Sequence, residues 1–520
     1  MVKRPGATWV AFGAAVLAHL ASLANGLVFD DLPAIVRNPA LKAPFSVAAF
    51  FGTDFWGTAG TVGTYRPLPV MSFWLDWRLG GGAPWPFHLG NVLAHGLVAA
   101  LLAVALRRQL GRPGAAWAAV VFALLAVDTE AVASAVGRAD LWATVGCMAA
   151  WALSDVPSAA RPWRRALGAS VLLLLALFCK ESAVAFVAWL FVTDRVLHPA
   201  TAPRPWSARY LLPLGAVAIY LAVRLGCFGV HAVAISGFNN PLLGSSLTVR
   251  LWTALDLLSR TVRLVLLPFN LSPEYGAPEI LPAGPGSPGA WLGLALLMAL
   301  VAGAVAWRRR APLYAAGAAL FLVAFGVVSN GLWVLPTIFA ERLLYLPSVG
   351  AAMMLWAGLE ALWARRRAVA FAVAVPLLIL NLAKNVEHDR AWRSALSLFS
   401  VAVEVSPRSA RAWFNYGSAL SQAGQRPDAI AAARRASELA PAWARPRAAL
   451  GGFFDELGHF EAARDELRLA YQLEPNDPDV VRTVAIFFAR HGNLADAHKI
   501  VDTYVKTHPS SELRTLLRTQ

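Results

Sequence analysis

The sequence predicts an all-α fold, in which a polytopic bundle of membrane-spanning helices precedes an α-solenoid of tetratricopeptide repeats. Of 520 residues, 58% are hydrophobic and only 15% are charged, whereas a soluble globular chain carries about 25% charged residues. Long apolar runs recur over about the first 384 residues. The rest of the chain is more polar and shows a period of 34 residues, which is the length of a tetratricopeptide repeat.

Eleven apolar runs are the predicted membrane crossings. Several reach the necessary length only with their flanks, because a span needs about 20 residues. The segment 247–268 is also long enough, but it carries four charged side chains, and charges are costly in hydrocarbon. We expect this segment to lie at the outer surface or to re-enter, although a crossing stays open. The eleven runs cover residues 7–25, 87–106, 114–127, 139–153, 166–179, 182–194, 209–228, 288–306, 312–329, 343–363 and 368–383.

The net charge of +15 belongs to the membrane half of the chain. Residues 1–383 carry 28 Lys and Arg against 15 Asp and Glu, and residues 384–520 carry 18 against 16. A nucleic-acid-binding protein would concentrate basic residues on a soluble module, so we expect no nucleic-acid partner. A cleaved secretory signal over residues 1–24 is the alternative for the first run, and ten further spans disfavour it.

Clusters of basic residues predict the orientation in the membrane. The positive-inside rule places Lys and Arg in cytoplasmic loops. With the N-terminus in the cytoplasm, alternation of the spans puts three further basic clusters on that side and puts the loop 26–86 and the repeats outside. The basic clusters used in this argument are Lys3-Arg4, Arg107-Arg108 with Arg112, Arg161 with Arg164-Arg165, and Arg195 with Arg204 and Arg209.

The C-terminal repeats are predicted from residues that recur every 34 positions. Each repeat is a helix pair that buries its apolar face only against its neighbours. We predict a membrane domain over 1–384 and a repeat domain over 385–520, with a half repeat at 390–407 and full repeats at 410–443, 444–477 and 478–511. The markers are Gly424, Gly458 and Gly492; Ala429, Ala463 and Ala497; and Pro407, Pro441, Pro475 and Pro509.

Charged residues at the outer ends of the predicted spans are the candidates for a functional site. An adjacent pair of aspartates near a membrane is costly unless it serves a function. Carboxylates can act as a general base, and cations can hold a phosphate. An interfacial residue or a structural ion pair is the alternative for each of them. The candidates are Asp30, Asp31, Glu130, Arg138, Lys180, Glu181, Glu341 and Arg342, with Arg66 as a further positioning residue.

These motifs resemble, in the same order, those of the O-mannosyltransferases that fuse a membrane glycosyltransferase to tetratricopeptide repeats, the TMTC type of the GT-C superfamily. The resemblance covers nearly the whole chain. The chain departs from the family in having Ala126-Val127-Asp128 where His-Pro is usual, and in its short repeat array. The motifs are Asn25…Phe29-Asp30-Asp31, Tyr65-Arg66-Pro67-Leu68, Thr129-Glu130-Ala131-Val132-Ala133…Gly137-Arg138-Ala139-Asp140, Cys179-Lys180-Glu181 and Glu341-Arg342-Leu343-Leu344-Tyr345.

The resemblance implies transfer of a sugar, mannose by expectation, from a polyprenyl-phosphate carrier to Ser or Thr hydroxyls of proteins, with inversion at the anomeric carbon. Either Asp30 or Asp31 would be the base. Arg138, Lys180 and Arg342 would bind the phosphate, and the glutamates would orient these cations or the acceptor. The resemblance implies no metal and no cofactor besides the lipid-linked sugar.

The repeats are expected to bind the protein acceptor, and the alternative is that so short an array only caps the membrane domain. A bacterial inner membrane, with the repeats in the periplasm, is the predicted location. The alternatives are a glycosyltransferase that acts on a lipid or envelope glycan, a non-enzymatic repeat scaffold for envelope assembly, and a transporter. A scaffold would have no reason to keep all of the outer charges, and a transporter would show repeated span patterns with polar residues at mid-membrane.

Overall fold

The computed structural model describes residues 6–57, 63–154, 162–200, 202–229, 237–508 and 513, and it divides the chain into two compact units. All regular elements of the described residues are helices, so the predicted all-α fold class is confirmed. Lys3, Arg4, Arg161 and Pro509, which served the predictions above, lie outside the described residues.

Unit 1 contains residues up to 229, residues 242–271 and residues 282–394. Its helices are α1 (Gly6–Ala18), α2 (Val47–Phe51), α3 (Pro67–Gly80), α4 (Trp85–Ala123), α5 (Thr129–Ala133), α6 (Arg138–Ser154), α7 (Pro162–Cys179), α8 (Ala185–Leu197), α9 (Ala208–Phe228), α10 (Leu247–Leu266), α11 (Pro288–Trp307), α12 (Pro312–Val328), α13 (Tyr345–Arg365) and α14 (Arg367–Ala391).

Six helices of the described residues are long and apolar enough to cross a membrane. They are α4, α7, α9, α11, α13 with the turn before it, and α14, while α1 and α12 are apolar but shorter. The chain is an integral membrane protein. The predicted count of about eleven crossings is not confirmed, and the charged α10 is not among the six.

Helix α4 contains a sharp reversal at Gly111. The backbone of this residue adopts φ 67° and ψ 178°, which a glycine tolerates because it has no Cβ atom. A straight helix would place His95 and Ala123 about 42 Å apart, yet the His95 Nε2 atom lies 3.2 Å from the Ala123 carbonyl oxygen. The two halves of α4 therefore run antiparallel, in agreement with the two separate apolar runs of the sequence.

Helix α11 has the composition of a lipid-facing helix. Leu292, Met298 and Val305 are more than half exposed in the isolated chain, and they lie on a helix without charged residues. A helix that is apolar on all sides is stable only in a core or in a bilayer.

The described part of the segment 26–86 packs with its neighbours around an apolar cluster. Phe50, Phe55, Phe73 and Phe87 are buried together with Val136. Apolar residues that remain exposed, such as Leu79 on α3, are the part of the loop that is available to lipid. The segment is therefore folded, with these aromatic side chains in its apolar cluster.

Unit 2 is the repeat array. Its helices are α15 (Ala395–Val405), α16 (Ala410–Gln422), α17 (Arg426–Leu439), α18 (Ala444–Glu456), α19 (Phe460–Leu473), α20 (Pro478–Arg490) and α21 (Leu494–Thr507). The first helices of the three pairs begin at residues 410, 444 and 478, and the second helices at 426, 460 and 494, so both sets repeat every 34 residues. The marker glycines Gly424, Gly458 and Gly492 occupy the turns within the pairs at φ of 77° to 79°.

Unit 2 also includes residues 237–241 and 272–281, which precede and follow α10 in the sequence. The buried Glu274 accepts hydrogen bonds from the Arg411 guanidinium at 2.6 and 2.9 Å. The ring of Phe238 stacks on Trp443 with the centroids 3.9 Å apart. The first repeat therefore packs against segments that are distant in the sequence, a feature that the 34-residue period does not predict.

Candidate active site

Two predicted carboxylates, those of Asp30 and Glu130, contact the guanidinium of Arg342, which is also a predicted site residue. The Arg342 Nη2 atom lies 3.2 Å from Asp30 Oδ2, and Nη1 lies 2.5 Å from Glu130 Oε1. The Arg342 backbone N–H donates a second hydrogen bond to Glu130 at 2.9 Å. The side chain of Glu130 is fully buried, whereas those of Asp30 and Arg342 are 22% and 20% exposed. Asp30 and Arg342 are thus the members of this group that a substrate can reach.

Each of these residues lies in a connecting segment or a short helix between longer helices. Asp30 follows α1 and a short 3-10 turn, Glu130 is the second residue of α5, which follows α4, and Arg342 lies in the 3-10 turn before α13. Irregular backbone at such helix ends leaves N–H groups free to bond side chains, as the Arg342 N–H does. The helix ends bring the charges together.

The backbone just before Asp30 is in an unusual conformation. Phe29 adopts a φ of 53°, a left-handed conformation that is rare for a bulky side chain. Such conformations cost about 1–3 kcal/mol and concentrate at functional sites.

Asp31 has different surroundings from its neighbour. It is fully buried, and its carboxylate accepts hydrogen bonds from the backbone N–H groups of Val136 at 2.9 Å and Val28 at 3.3 Å. Burial raises the pKa of Asp31 to about 7, although these hydrogen bonds oppose the shift. Asp31 therefore ties its own turn to the loop before α6 and is not accessible to a substrate.

Two further ion pairs join other predicted residues. The Lys180 ammonium lies 2.6 Å from both carboxylate oxygens of Asp140, and both side chains are less than a tenth exposed. The Arg66 guanidinium donates to Glu181 at 2.9 Å. Lys180 and Glu181 are adjacent in the sequence, but they pair with different partners, Asp140 and Arg66.

The ion pairs form one electrostatic group. Asp140 interacts with both Arg342 and Arg66, and Lys180 interacts with Arg66 and Glu181. We call this set the charged cluster. It consists of Asp30, Glu130 and Arg342, together with Asp140, Lys180, Arg66 and Glu181.

Burial and neighbouring charges shift the pKa values of Glu130, Lys180 and Glu181. Burial raises the pKa of Glu130, and Arg342 offsets part of the shift. Burial lowers the pKa of Lys180 against the opposing charge of Asp140. Desolvation would raise the pKa of Glu181, whose side chain is 49% exposed, but the charges of Arg66 and Lys180 outweigh it and lower the pKa to about 2. Shifts of this kind in a group of charges are frequent at functional sites.

Arg138 is held apart from this cluster. Its buried guanidinium donates to Asp76, to the Asn91 side chain at 2.9 Å and to the Phe87 carbonyl at 2.5 Å. These partners lie on α3 and α4, and they occupy the guanidinium before any ligand binds. Sequence reasoning did not identify Asp76, because only the packing of α3 brings it to α6.

Glu341 and Asp128 are also buried. Glu341 lies 3.6 Å from His388 Nε2 on α14. Asp128, which stands where the resembling family usually has His-Pro, accepts a hydrogen bond from Ser348 at 3.0 Å, and burial raises its pKa well above the usual value. The hydrogen bond between Asp128 and Ser348 joins the segment before α5 to α13. In the part of the chain that the structure describes, no group of three or more His, Cys, Asp or Glu side chains could hold a metal ion.

Comparison with known proteins finds relatives that are named protein O-mannosyl-transferases. The chain is 26% identical over 430 residues to Protein O-mannosyl-transferase F38B6.6 of Caenorhabditis elegans, covering 80% of this chain and 60% of that protein. It is 36% identical over 281 residues to Protein O-mannosyl-transferase Tmtc2 of Drosophila melanogaster, covering 50% and 29%. It is 27% identical over 475 residues to Protein O-mannosyl-transferase TMTC4 of Homo sapiens, covering 80% and 64%.

The chain spans less than two thirds of the length of each of these three curated relatives. No family model matches the chain. Among solved structures, a chain of the crystal structure of the APC/C hetero-tetramer Cut9-Hcn1 matches at 15% identity, covering 85% of this chain and 74% of that one, with a TM-score of 0.23. A TM-score this low carries no argument about the fold.

Proposed function

We propose that this protein is a membrane glycosyltransferase that moves a sugar, mannose in the first instance, from a polyprenyl-phosphate carrier to Ser or Thr hydroxyls of proteins. The observation that carries the proposal is the contact between a partly exposed carboxylate, Asp30, and a partly exposed guanidinium, Arg342, which the fully buried Glu130 also contacts. The similarity to proteins named O-mannosyl-transferases supports the choice of reaction.

Asp30 is the general base in this proposal. An acceptor hydroxyl attacks the anomeric carbon, the bond between that carbon and the phosphate oxygen breaks, and the hydroxyl proton passes to Asp30. The products are the glycosylated acceptor, with inverted configuration, and the free polyprenyl phosphate. Asp31 is not assigned this role, because its oxygens are occupied by backbone N–H groups.

Arg342 stabilises the departing phosphate. The leaving phosphate gains negative charge, and a preorganised cation in a site shielded from water stabilises it more strongly than one in bulk water does. A guanidinium suits this role because it binds phosphate oxygens at two points. The Glu130 carboxylate holds Arg342 in place, because it accepts hydrogen bonds from the guanidinium and from the backbone N–H of Arg342. Lys180 and Arg66, each already paired with a carboxylate, line the rest of the donor site.

The donor sugar reaches the site from the membrane, and the reaction takes place at the outer face of a bacterial inner membrane, which is the periplasmic side. No metal ion takes part. The repeats of unit 2 bind the protein acceptor, since repeat arrays of this kind present extended concave binding surfaces.

The transfer reaction is tested with purified full-length protein in detergent, radiolabelled polyprenyl-phosphate mannose and a periplasmic protein extract. We expect label to enter protein with the wild type, and we expect Asp30→Asn to lower the rate about 10²- to 10⁴-fold, the usual contribution of a general base. Transfer from none of a panel of mannose, glucose and other polyprenyl-phosphate donors, with protein that is folded, would contradict the proposal.

The acceptor role of the repeats is tested with the same protein truncated after residue 409. We expect the truncated protein to lose transfer to native protein acceptors and to keep hydrolysis of the donor by water. Unchanged transfer to the native acceptor would contradict this role.

A further inference from the structure

Helix α14 carries a line of buried polar residues on one face. Asn381, Asn385, His388 and Asp389 are all at most 5% exposed. Their spacing of four, seven and eight residues places them on the same side of a helix. Buried polar groups are costly unless they are hydrogen-bonded. The partners of these residues therefore indicate the structural role of this helix face. We call these four residues the inner polar face of α14.

Two of them bind the segment that leads to Glu130. The Asn381 side-chain oxygen accepts a hydrogen bond from the Ala126 N–H at 2.9 Å. The Asn385 side-chain nitrogen donates to the Leu124 carbonyl at 3.0 Å, and its oxygen accepts from the Thr129 hydroxyl at 2.7 Å. Thr129 directly precedes Glu130, so the position of the Glu130 backbone depends on this contact.

The other two residues lie against the segments that lead to Arg342 and to Asp30. The His388 Nε2 atom lies 3.6 Å from the carboxylate of Glu341, the residue before Arg342, which is a contact beyond hydrogen-bond distance. The Asp389 carboxylate lies 3.2 Å from the His19 ring nitrogen, and its carbonyl accepts from the Asn25 side chain at 3.0 Å. Both His19 and Asn25 belong to the chain between α1 and Asp30.

We infer that the inner polar face of α14 positions the group formed by Asp30, Arg342 and Glu130. Each of these residues comes from a different segment. The segments of Glu130 and Asp30 are hydrogen-bonded to the same helix face, and the segment of Arg342 contacts it through Glu341. The inference rests on the proposed function for its catalytic consequence. Displacement of a reacting group by about 1 Å can cost about 10²-fold in rate, which is the size of effect that such positioning residues control.

The opposite side of the same helix offers a matched control. Lys384 and Glu387 form an ion pair at 2.8 Å. The Glu387 side chain is 67% exposed, and it bonds to none of the three segments that carry the site. A substitution of Glu387 therefore changes the charge of α14 and keeps the hydrogen bonds of Asn381, Asn385 and Asp389.

The test compares Thr129→Ala, which removes one hydrogen bond to Asn385, with Thr129→Ser, which keeps the hydroxyl. In the transfer assay we expect Thr129→Ala and Asn385→Leu to lower kcat about 10- to 100-fold with the donor KM changed less than about threefold. We expect Thr129→Ser and Glu387→Gln to behave like the wild type. Unchanged kcat in Thr129→Ala, or an equal loss in Thr129→Ser, would overturn the inference.

A second measurement separates this inference from the proposed function, because it needs no activity. Thermal unfolding in detergent is followed for Arg342→Gln, for Asn385→Leu on α14 and for the double variant. The control replaces Asn385→Leu by Glu387→Gln. Residues that share one network are not additive, so we expect the Tm shift of the double variant to differ from the sum by about 2 °C or more. If the Tm shifts are additive both for the double variant and for the control combination with Glu387→Gln, α14 does not hold Arg342. Failure of the wild type to transfer sugar would contradict only the proposed function.

Discussion

The ion pairs of the charged cluster in unit 1 and those on the surface of the repeat helices in unit 2 differ in burial and in reach along the chain. In the charged cluster, Arg342 pairs with residues more than 200 positions away, and Glu130 is fully buried. In the repeat array, pairs such as Arg435 with Glu438 lie three residues apart and are about half exposed.

This difference indicates what each set of charges does. Exposed pairs contribute about 0–1 kcal/mol to stability, and they keep a solenoid surface soluble. Buried pairs have a desolvation cost that often exceeds their attraction, so stability alone does not account for them. Charges that are kept together under such a cost are expected to act on a substrate.

The largest effect is expected for Arg342→Gln. The change removes the only cation that directly contacts Glu130 in the described contacts and leaves a fully buried carboxylate without its partner. Breaking a buried pair in this way costs about 3–5 kcal/mol in the free energy of unfolding. Denaturant unfolding in detergent measures it. Arg447→Gln, which breaks a pair with 26% exposure in unit 2, is the control and should cost less than about 1 kcal/mol.

A loss below about 1 kcal/mol for Arg342→Gln would place this pair in the same class as the repeat pairs and would remove the distinction between the two regions.

Substitution of one or both members of the buried pair Lys180–Asp140 tests the same difference between buried and exposed pairs. Lys180→Met leaves Asp140 buried and unpaired, and we expect about 2–4 kcal/mol of destabilisation. The double variant Lys180→Met/Asp140→Leu replaces both charges by apolar groups and should recover much of this loss in stability. Donor transfer should stay impaired in both variants. A double variant that recovers transfer together with stability would mean that the pair is purely structural.

A smaller effect, dependent on pH, is expected at Asp31. The pKa of this residue is about 7 in the folded protein and 3.8 in an unfolded chain, so the folded state binds more protons between these values. By linkage, this group makes stability fall as the pH rises from about 4 to about 7. We expect the difference in Tm between Asp31→Asn and the wild type to shift in favour of the variant by about 3 °C or more between pH 5 and pH 8.

A constant difference in Tm over this pH range would contradict the account of Asp31 as a buried structural carboxyl.

The smallest effect is expected in unit 2. Arg435→Gln breaks the exposed pair with Glu438, and the free energy of unfolding should change by at most about 0.5 kcal/mol. Transfer to the acceptor should be unchanged as well. A change above about 1 kcal/mol, measured by the same denaturant unfolding, would show that charges of the repeats are also held for more than solubility.

Much of the fold could be predicted from the sequence because its signals are periodic. Apolar runs coincide with helices such as α9 and α11, and the residues that recur every 34 positions predict the helix pairs of the array. The reversal within α4 follows from the single Gly111 between two apolar runs. The packing of residues 237–241 and 272–281 with the first repeat has no periodic signal, since it depends on single contacts such as that of Glu274 with Arg411.

The site could be predicted as a set of residues but not as a set of pairs. Charges at the ends of spans, together with the family resemblance, identified Asp30, Glu130 and Arg342. Their partners depend on helix packing, so the sequence could not separate Asp30 from Asp31 or show that Arg138 is already occupied by Asp76. The inner polar face of α14 does have a sequence signal, because polar residues four, seven and eight positions apart follow an apolar span.

The most direct test of the central claim compares the two adjacent aspartates. Single-turnover transfer from saturating polyprenyl-phosphate mannose is measured for the wild type, Asp30→Asn and Asp31→Asn, each with its folded fraction determined by thermal unfolding. The account predicts a loss of about 10²-fold or more for Asp30→Asn with little change in Tm, and a loss of less than about tenfold for Asp31→Asn once the folded fraction is considered. A larger loss for Asp31→Asn than for Asp30→Asn would contradict the account.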